Sequence, residues 1–316
     1  MPKVRQVCFY VTSRCNLNCS YCSVPSNFPK EELSLDEIFK TLKIIKEDVQ
    51  PEFLVLFGGE PFVRKDIGQI VDKVNEMGFD YTLITNGTID NEPVIRKLKG
   101  LTLSIDRPDA IDGSLDEKAK SNWEMLKKYR NVVPDLAANV TVTKQNIYEL
   151  ETIVGQLNVL DIWIIFGFVH STHTQNEKAM FRSHCPDLML TQYDAAKFNK
   201  ILQKVKKRHN SLMYGSLGEI YAWNLLWHCE NNPRNPEYLT ILSNGRLVAC
   251  NDYWGEETPK LSIFDIPKVG LEKWHKACKH DRAECRLFCY YNHEVQLAYE
   301  QRIIHETNRR VDTEKS

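Results

Sequence analysis

The sequence predicts an α/β protein built on a mostly parallel, curved sheet, followed by a smaller cysteine-rich region. Three observations carry that reading. Short apolar runs alternate with helical segments from residue 4 to residue 168, the grammar of βα units. The unusual polar and sulfur-bearing clusters fall just after the first four runs, where parallel sheets place their sites. After residue 170 the alternation stops and most of the remaining cysteines gather.

In chain order, VRQVCFYVT (4–12) reads as a first strand, and a loop containing Ser, Asn and Pro runs through to residue 33. SLDEIFKTLKIIKEDV reads as a helix: Ser34 is placed as N-cap, Glu37 completes a capping box, and Ile38, Leu42 and Ile45 repeat at helical spacing. FLVLFGG (53–59) is a buried strand ending in two glycines. Helix 66–77, strand 81–85, helix 92–99, strand 101–105, helix 116–130, strand 139–143, helix 147–158 and strand 162–168 follow. Right-handed crossovers between six such strands make a curved or closed α/β layer.

Beyond it, a polar loop to residue 190 leads to an amphipathic basic helix (191–209) and an aromatic-rich helix (216–228). YLTILSNGRLVACND reads as a β-hairpin turning on Asn244-Gly245, a dipeptide suited to a two-residue type I′ turn. A last helix is expected near 292–306.

The chain has 316 residues, 42% hydrophobic and 26% charged, with a net charge of −1. It is long enough for one large domain or two smaller ones. A near-neutral chain has no global field to attract nucleic acid or an anionic membrane. No apolar run is long enough to span a bilayer, and the N-terminal run is too short for a signal peptide, so a cytoplasmic location is expected. Ten cysteines in a reducing compartment point to metal binding or catalysis rather than disulfides.

Cys15, Cys19 and Cys22 stand in CNLNCSYC, a C-x3-C-x2-C spacing. Three thiolates can hold three corners of a cubane iron–sulfur cluster and leave one iron open, whereas four would close it. The alternative is a structural zinc completed by a distant residue, although zinc ligands usually come as C-x2-C-type pairs.

With Tyr21 before the last cysteine, this stretch resembles the signature of the radical S-adenosylmethionine (radical SAM) enzymes. The resemblance implies a [4Fe–4S] cluster on Cys15, Cys19 and Cys22, with S-adenosylmethionine chelating the open iron. Electron transfer would then cleave a C–S bond, giving a 5′-deoxyadenosyl radical that abstracts hydrogen from substrate. It also implies the family's partial (β/α)6 barrel and a flavodoxin- or ferredoxin-type reductant. Gly58, Gly59 and Glu60, in FGGEP, look like the family's GGE motif, which receives the methionine ammonium: glycines admit a close approach, and a carboxylate pairs with a cation. Tyr21, Asn86 in TNG, and Ser104 and Asp106 in LSID resemble further cofactor-contacting positions. A turn or a strand end would account for the last three equally simply.

The later cysteines follow C-x15-G-x4-C (Cys229, Cys250) and C-x6-C-x3-C (Cys278, Cys285, Cys289). This resembles the family's SPASM and twitch extensions, which hold auxiliary clusters. Five cysteines, rather than the seven of a full SPASM domain, imply one auxiliary [4Fe–4S] cluster on Cys229, Cys250, Cys285 and Cys289, with Cys278 spare or an alternative ligand. A four-cysteine zinc knuckle would use the same residues. The expected division is a core barrel (1–210), a small α+β auxiliary domain containing the hairpin (211–306) and a tail (307–316). Cys185 is a candidate hydrogen-atom donor, while a lone cysteine is more often an ordinary small residue. Cys8 reads as core, and His170 as a candidate substrate contact.

The expected function is oxidation of a small metabolite (sugar, cyclitol or nucleoside) by a radical SAM enzyme with one auxiliary cluster. The start of strand one at residue 4, without a leader-binding domain before it, favours a metabolite over a peptide. The alternatives are a peptide-modifying enzyme making an epimer, thioether or C–C crosslink, and a non-catalytic zinc or iron–sulfur electron-transfer protein. No membrane or nucleic-acid partner is expected, and the oligomeric state is open.

Overall fold

The computed structural model describes residues 4–109, 117–169, 238–248 and 261–271, with a few positions between 187 and 201. The first strand, β1 (Gln6–Thr12), is buried at every position after Gln6, as its near-continuous apolar run requires of a strand covered on both faces. β2 (Phe53–Gly58), β3 (Tyr81–Thr85), β4 (Gly100–Ser104), β5 (Asp135–Val142) and β6 (Trp163–Phe168) follow in sequence. Each pairs in parallel with its predecessor. Successive parallel strands place all their carboxyl ends on one rim, and the candidate residues sit there.

The intervening helices bury one stripe each. α1 (Val24–Asn27) is a single turn within the loop after β1, with a proline in its first turn. It went unread in the sequence because four residues carry no periodicity. α2 (Leu35–Ile44) starts with the expected capping box between Ser34 and Glu37. It runs into a π-turn, Ile45–Val49, closed by Gln50 at a left-handed φ of 53°. α3 (Ile67–Glu76) buries Ile67, Ile70, Val71 and Val74, and α6 (Leu150–Val159) buries Leu150, Ile153, Val154 and Leu157, the i, i+3, i+4, i+7 stripe of a helix lying on a sheet. α4 (Glu92–Ile95) is shorter than its expected 92–99, the chain continuing in single turns to Leu98. α5 (Glu117–Tyr129) precedes β5. β5 begins at Asp135, earlier than the expected residue 139, because Leu136, Ala137 and Ala138 are buried between β4 and β6. Alanines have little strand propensity of their own.

The hairpin is part of this same sheet. β7 (Tyr238–Ile241) lies parallel to β1, pairing Gln6 with Tyr238 through Phe9 with Ile241, and β8 (Leu247–Val248) returns antiparallel to it. The strand order is β6-β5-β4-β3-β2-β1-β7-β8, and the sheet does not close. Its turn differs from the expected two-residue type I′ form. Ile241 pairs with Leu247, Gly245 N donates to Leu242 O, Leu242 N donates to Arg246 O, and of Asn244 and Gly245 only Gly245 has a positive φ, 81°. That is a three-residue loop with a glycine bulge, whereas type I′ needs positive φ at both central residues. A short helix, α7 (Ile266–Val269), follows a capped 3-10 turn. Phe198, within the expected 191–209 helix, packs edge-on against Phe166 of β6. The expected helices 216–228 and 292–306 lie outside the described residues.

Candidate functional site

The site begins at the carboxyl end of β1, where the chain leaves the sheet into the cysteine loop. Glu32 holds that exit. Its carboxylate accepts from the Thr12 hydroxyl, from Ser13 N at 3.0 Å and from Arg14 Nε at 3.1 Å. Burial works against its ionisation, but these donors outweigh burial and keep the carboxyl below the usual range. On the other side, Gly59 N donates to Thr12 O (3.0 Å) and Glu60 N to Arg14 O (2.8 Å). The residue before Cys15 is therefore fixed from two directions.

Cys15, Cys19 and Cys22 are all half-buried, and none is in a disulfide. Leu17 N donates to Cys15 Sγ at 3.4 Å, Asn86 Nδ2 approaches the same sulfur at 3.7 Å, and Cys22 N closes a turn onto Cys19 O. Burial pushes the Cys15 thiol up, helped by the nearby Glu60 and Cys19, while the two N–H donors act in the opposite direction. Cys22 rests with Phe57 against an apolar cluster of Tyr10, Val24, Phe28, Leu242 and Val248. The hairpin thus underlies the loop, and Leu33 N, at the loop's far end, donates to Ser243 O at 2.8 Å.

Glu60 faces inward, onto the loops after β2 and β3. It is 0% exposed, and its carboxylate accepts from Phe62 N (3.0 Å), Thr85 Oγ1 (2.9 Å) and Asn86 N (2.7 Å). Burial raises its carboxyl, with the three donors counteracting. Its work in the protein is to tie the loop after β2 to the loop after β3. The two glycines pack against the end of the neighbouring strand. A Cβ at Gly58 would lie 2.1 Å from Thr12 O, and one at Gly59 2.2 Å from Arg14 O. The close approach they permit is to the neighbouring strand end.

Asn86 bonds Asn16 and Thr88 as well as Cys15. Asp106 is drawn into a clamp: Oδ1 accepts from Thr141 N (3.0 Å), and Oδ2 lies 3.3 Å from Lys118 Nζ and 3.5 Å from the Tyr21 hydroxyl. Tyr21, packed with Val169 and Leu188, is held well above its ordinary pKa by burial first and by Asp106 next. Ser104 is half-buried, and its carbonyl accepts from Asn122 Nδ2. Cys185, His170, Cys229, Cys250, Cys278, Cys285 and Cys289 lie outside the described residues. Cys8 is buried in β1 as expected. Glu32, Arg64, Asn16 and Ser243 were not singled out from the sequence. Their only signal was proximity to the cysteine motif or to turn residues.

Could this loop hold a cluster? Its donor set is three half-buried thiols on one loop, with N–H groups directed at a sulfur, which suits thiolates. Among the described residues, no three His, Cys, Asp or Glu side chains converge on the position of one ion. Three thiols on one short loop, the first of them already receiving N–H donors, suit thiolate ligation of iron.

The structure places three thiols, none in a disulfide, on the first carboxyl-end loop of a parallel α/β sheet. Residues 9–135 match the model of the Radical SAM superfamily. A [4Fe–4S] cluster and S-adenosylmethionine are the cofactors that this match implies. The chain is 25% identical over 264 residues to a probable GTP 3',8-cyclase of Methanothermobacter thermautotrophicus, covering 76% of this chain and 82% of that protein. It is 30% identical over 161 residues to an AdoMet-dependent heme synthase of Methanosarcina barkeri, covering 46% and 45%. Its fold is similar to that of Streptococcus suis SuiB bound to S-adenosylmethionine, with a TM-score of 0.67 at 16% identity over 89% of this chain and 67% of that one. Among the described residues, no helix is long and apolar enough to cross a membrane.

Proposed function

We propose that Cys15, Cys19 and Cys22 ligate the [4Fe–4S] cluster and that the chain is a radical SAM oxidoreductase acting on a small metabolite of the sugar, cyclitol or nucleoside kind. The observation that carries the reading is the three-thiol loop at the carboxyl end of β1, with Asn86 and Glu60 bonded around its first cysteine. When bound, the cluster and S-adenosylmethionine supply an electron and a cleavable C–S bond, and hence a carbon radical able to take hydrogen from substrate. Glu32 and the Gly59 and Glu60 amides set the root of the loop; Glu60 spaces the β2 and β3 loops; Tyr21 and Asp106 line the far side toward β4 and β5. A resemblance to a nucleotide-cyclising enzyme over most of both chains favours a nucleoside-like substrate over a peptide. The auxiliary cluster on Cys229, Cys250, Cys285 and Cys289, with Cys278 as alternative ligand, belongs to this proposal, as do the 1–210 and 211–306 division and a flavodoxin- or ferredoxin-type reductant.

The test is anaerobic. Iron and zinc are counted per chain in the wild type and in a Cys15/Cys19/Cys22→Ala variant, and both proteins are reduced with S-adenosylmethionine and assayed for 5′-deoxyadenosine. About eight irons falling to about four, with 5′-deoxyadenosine formed by the wild type alone, is the expected result. A fully loaded, reduced wild type that leaves S-adenosylmethionine intact would overturn the enzymatic reading. About four irons falling to none would remove the auxiliary cluster and favour redox-neutral chemistry. Deuterium passing from deuterated GTP into 5′-deoxyadenosine would identify the nucleoside class directly.

A further inference from the structure

Asn16, Asn86 and Thr88 form a closed ring of hydrogen bonds across the mouth of the sheet. Asn86 Nδ2 donates to Asn16 Oδ1 (3.0 Å), Asn16 Nδ2 donates to Thr88 Oγ1 (2.7 Å), and Thr88 Oγ1 donates to Asn86 Oδ1 (2.6 Å). The orientation of the Asn86 amide, ordinarily a matter of assignment, is decided here by the backbone. Thr88 N can only donate, and it points at Asn86 Oδ1 from 3.0 Å. Nδ2 must therefore face the other way. One of its hydrogens is taken by Asn16, and the second points at Cys15 Sγ, 3.7 Å away, a hydrogen-bonding separation for so large an acceptor. The main chain of Asn86 is in turn held by Glu60 Oε2 at 2.7 Å. The amide can neither flip nor drift without breaking several bonds.

We infer that Asn86 is a positioning and tuning residue: the ring aims one amide N–H at the Cys15 sulfur and raises the reduction potential of the cluster held there. The inference rests on the reading of Cys15 as a cluster ligand. Its physical basis is that a hydrogen bond to a ligating sulfur withdraws electron density and stabilises the electron-richer reduced cluster, one of the recognised determinants of cluster potential. Leu17 N, at 3.4 Å, acts on the same sulfur, but only proline would remove that donor, and its ring would also fix the backbone of the cysteine loop. The Asn86 donor is removed by a side-chain change alone.

The experiment is a potentiometric titration, followed by electron paramagnetic resonance, of the reconstituted full chain without S-adenosylmethionine. Wild type is compared with Asn86→Ala and with Asn86→Asp, which keeps the side chain's shape while exchanging the donor for a negative oxygen. Iron per chain is measured on every sample. The expected result is a more negative midpoint for Asn86→Ala, a still more negative one for Asn86→Asp, and the wild-type iron content in both. A merely structural role would alter iron content or thermal stability and leave the midpoint where it was. An unchanged midpoint at full iron loading overturns the inference while leaving the cluster assignment intact. A Cys15/Cys19/Cys22→Ala variant that keeps the wild-type iron content overturns the assignment itself. Should neither Asn86 variant retain iron, pulsed resonance on wild type grown with 15N-asparagine decides: a 15N coupling to the reduced cluster supports the hydrogen bond, and none refutes it.

Discussion

Arg64 grips Asp66 through two parallel bonds, Nε to Oδ1 at 2.7 Å and Nη2 to Oδ2 at 2.9 Å, and the same guanidinium donates to Val11 O (2.8 Å) and Leu33 O (3.0 Å). One buried side chain thus joins the end of β1, the far end of the cysteine loop and the entry to α3. Only the planar five-donor fork of arginine can serve all of these acceptors. Arg64→Lys is expected to leave at least one of the two carbonyls without its donor, a loss of about 2 kcal/mol on the usual cost of a buried unsatisfied group. Urea unfolding of the two proteins measures it, and equal midpoints would show the fork to be dispensable.

The same pair makes a prediction about acid. The Arg64 hydrogen bonds hold the Asp66 carboxyl below its usual range. A lowered folded pKa contributes stability that is complete above the unfolded value, about 4, and is lost as pH falls through the folded one. Asp66→Asn is therefore expected to be less stable than wild type at neutral pH, with the gap narrowing as pH drops below about 4. Thermal unfolding of both proteins across the range from neutral to acid checks this; a gap that stays constant or widens would refute it.

These anchors mark where the sequence was readable. Strands β1, β2, β3 and β6 and the Ser34 cap were legible because apolar runs and capping chemistry are local. The cysteine loop was legible because three thiols so close together in sequence have few structural uses. The sequence could not reveal that Glu60 faces inward onto Thr85 and Asn86, because the same GGEP run suits an outward carboxylate as well as a buried strut. Nor could it reveal that β7 continues the main sheet beside β1, a pairing between distant parts of the chain that no periodicity records. Glu32 and Arg64 escaped because ordinary charged residues announce nothing until the fold surrounds them.

Glu60→Gln tests the strut. Glutamine can still accept from two neighbours on one oxygen, but its amide nitrogen would face the N–H of Asn86 or the donors of Phe62 and Thr85, donor against donor. A loss of about 1–3 kcal/mol is expected from the orphaned buried group, together with weaker binding of S-adenosylmethionine as the β3 loop shifts. Unfolding measurements and equilibrium binding read the two effects separately. Unchanged stability would mean that the carboxylate's inward bonds carry no weight.

Glycine substitutions separate space from conformation. At Gly59 an added Cβ would stand 2.2 Å from Arg14 O, 2.6 Å from Arg14 C and 2.9 Å from Ser13 O, all backbone atoms of the loop root. Main chain held by Glu32 on its other side has nowhere to retreat, so Gly59→Ala is expected to cost about 3 kcal/mol or more, at the upper end for overpacking. It should also lower iron retention, because Arg14 leads directly into Cys15. Gly155 is the internal control. It lies within α6, where an added Cβ would have nothing within 4 Å, and there alanine simply restricts the unfolded chain and favours the helix. Gly155→Ala is expected to raise stability by about 0.5–1 kcal/mol and leave iron content alone. Opposite signs from the same chemical change would locate the Gly59 effect in the contact between the β1 and β2 ends. Two effects of the same sign would place it in backbone flexibility instead.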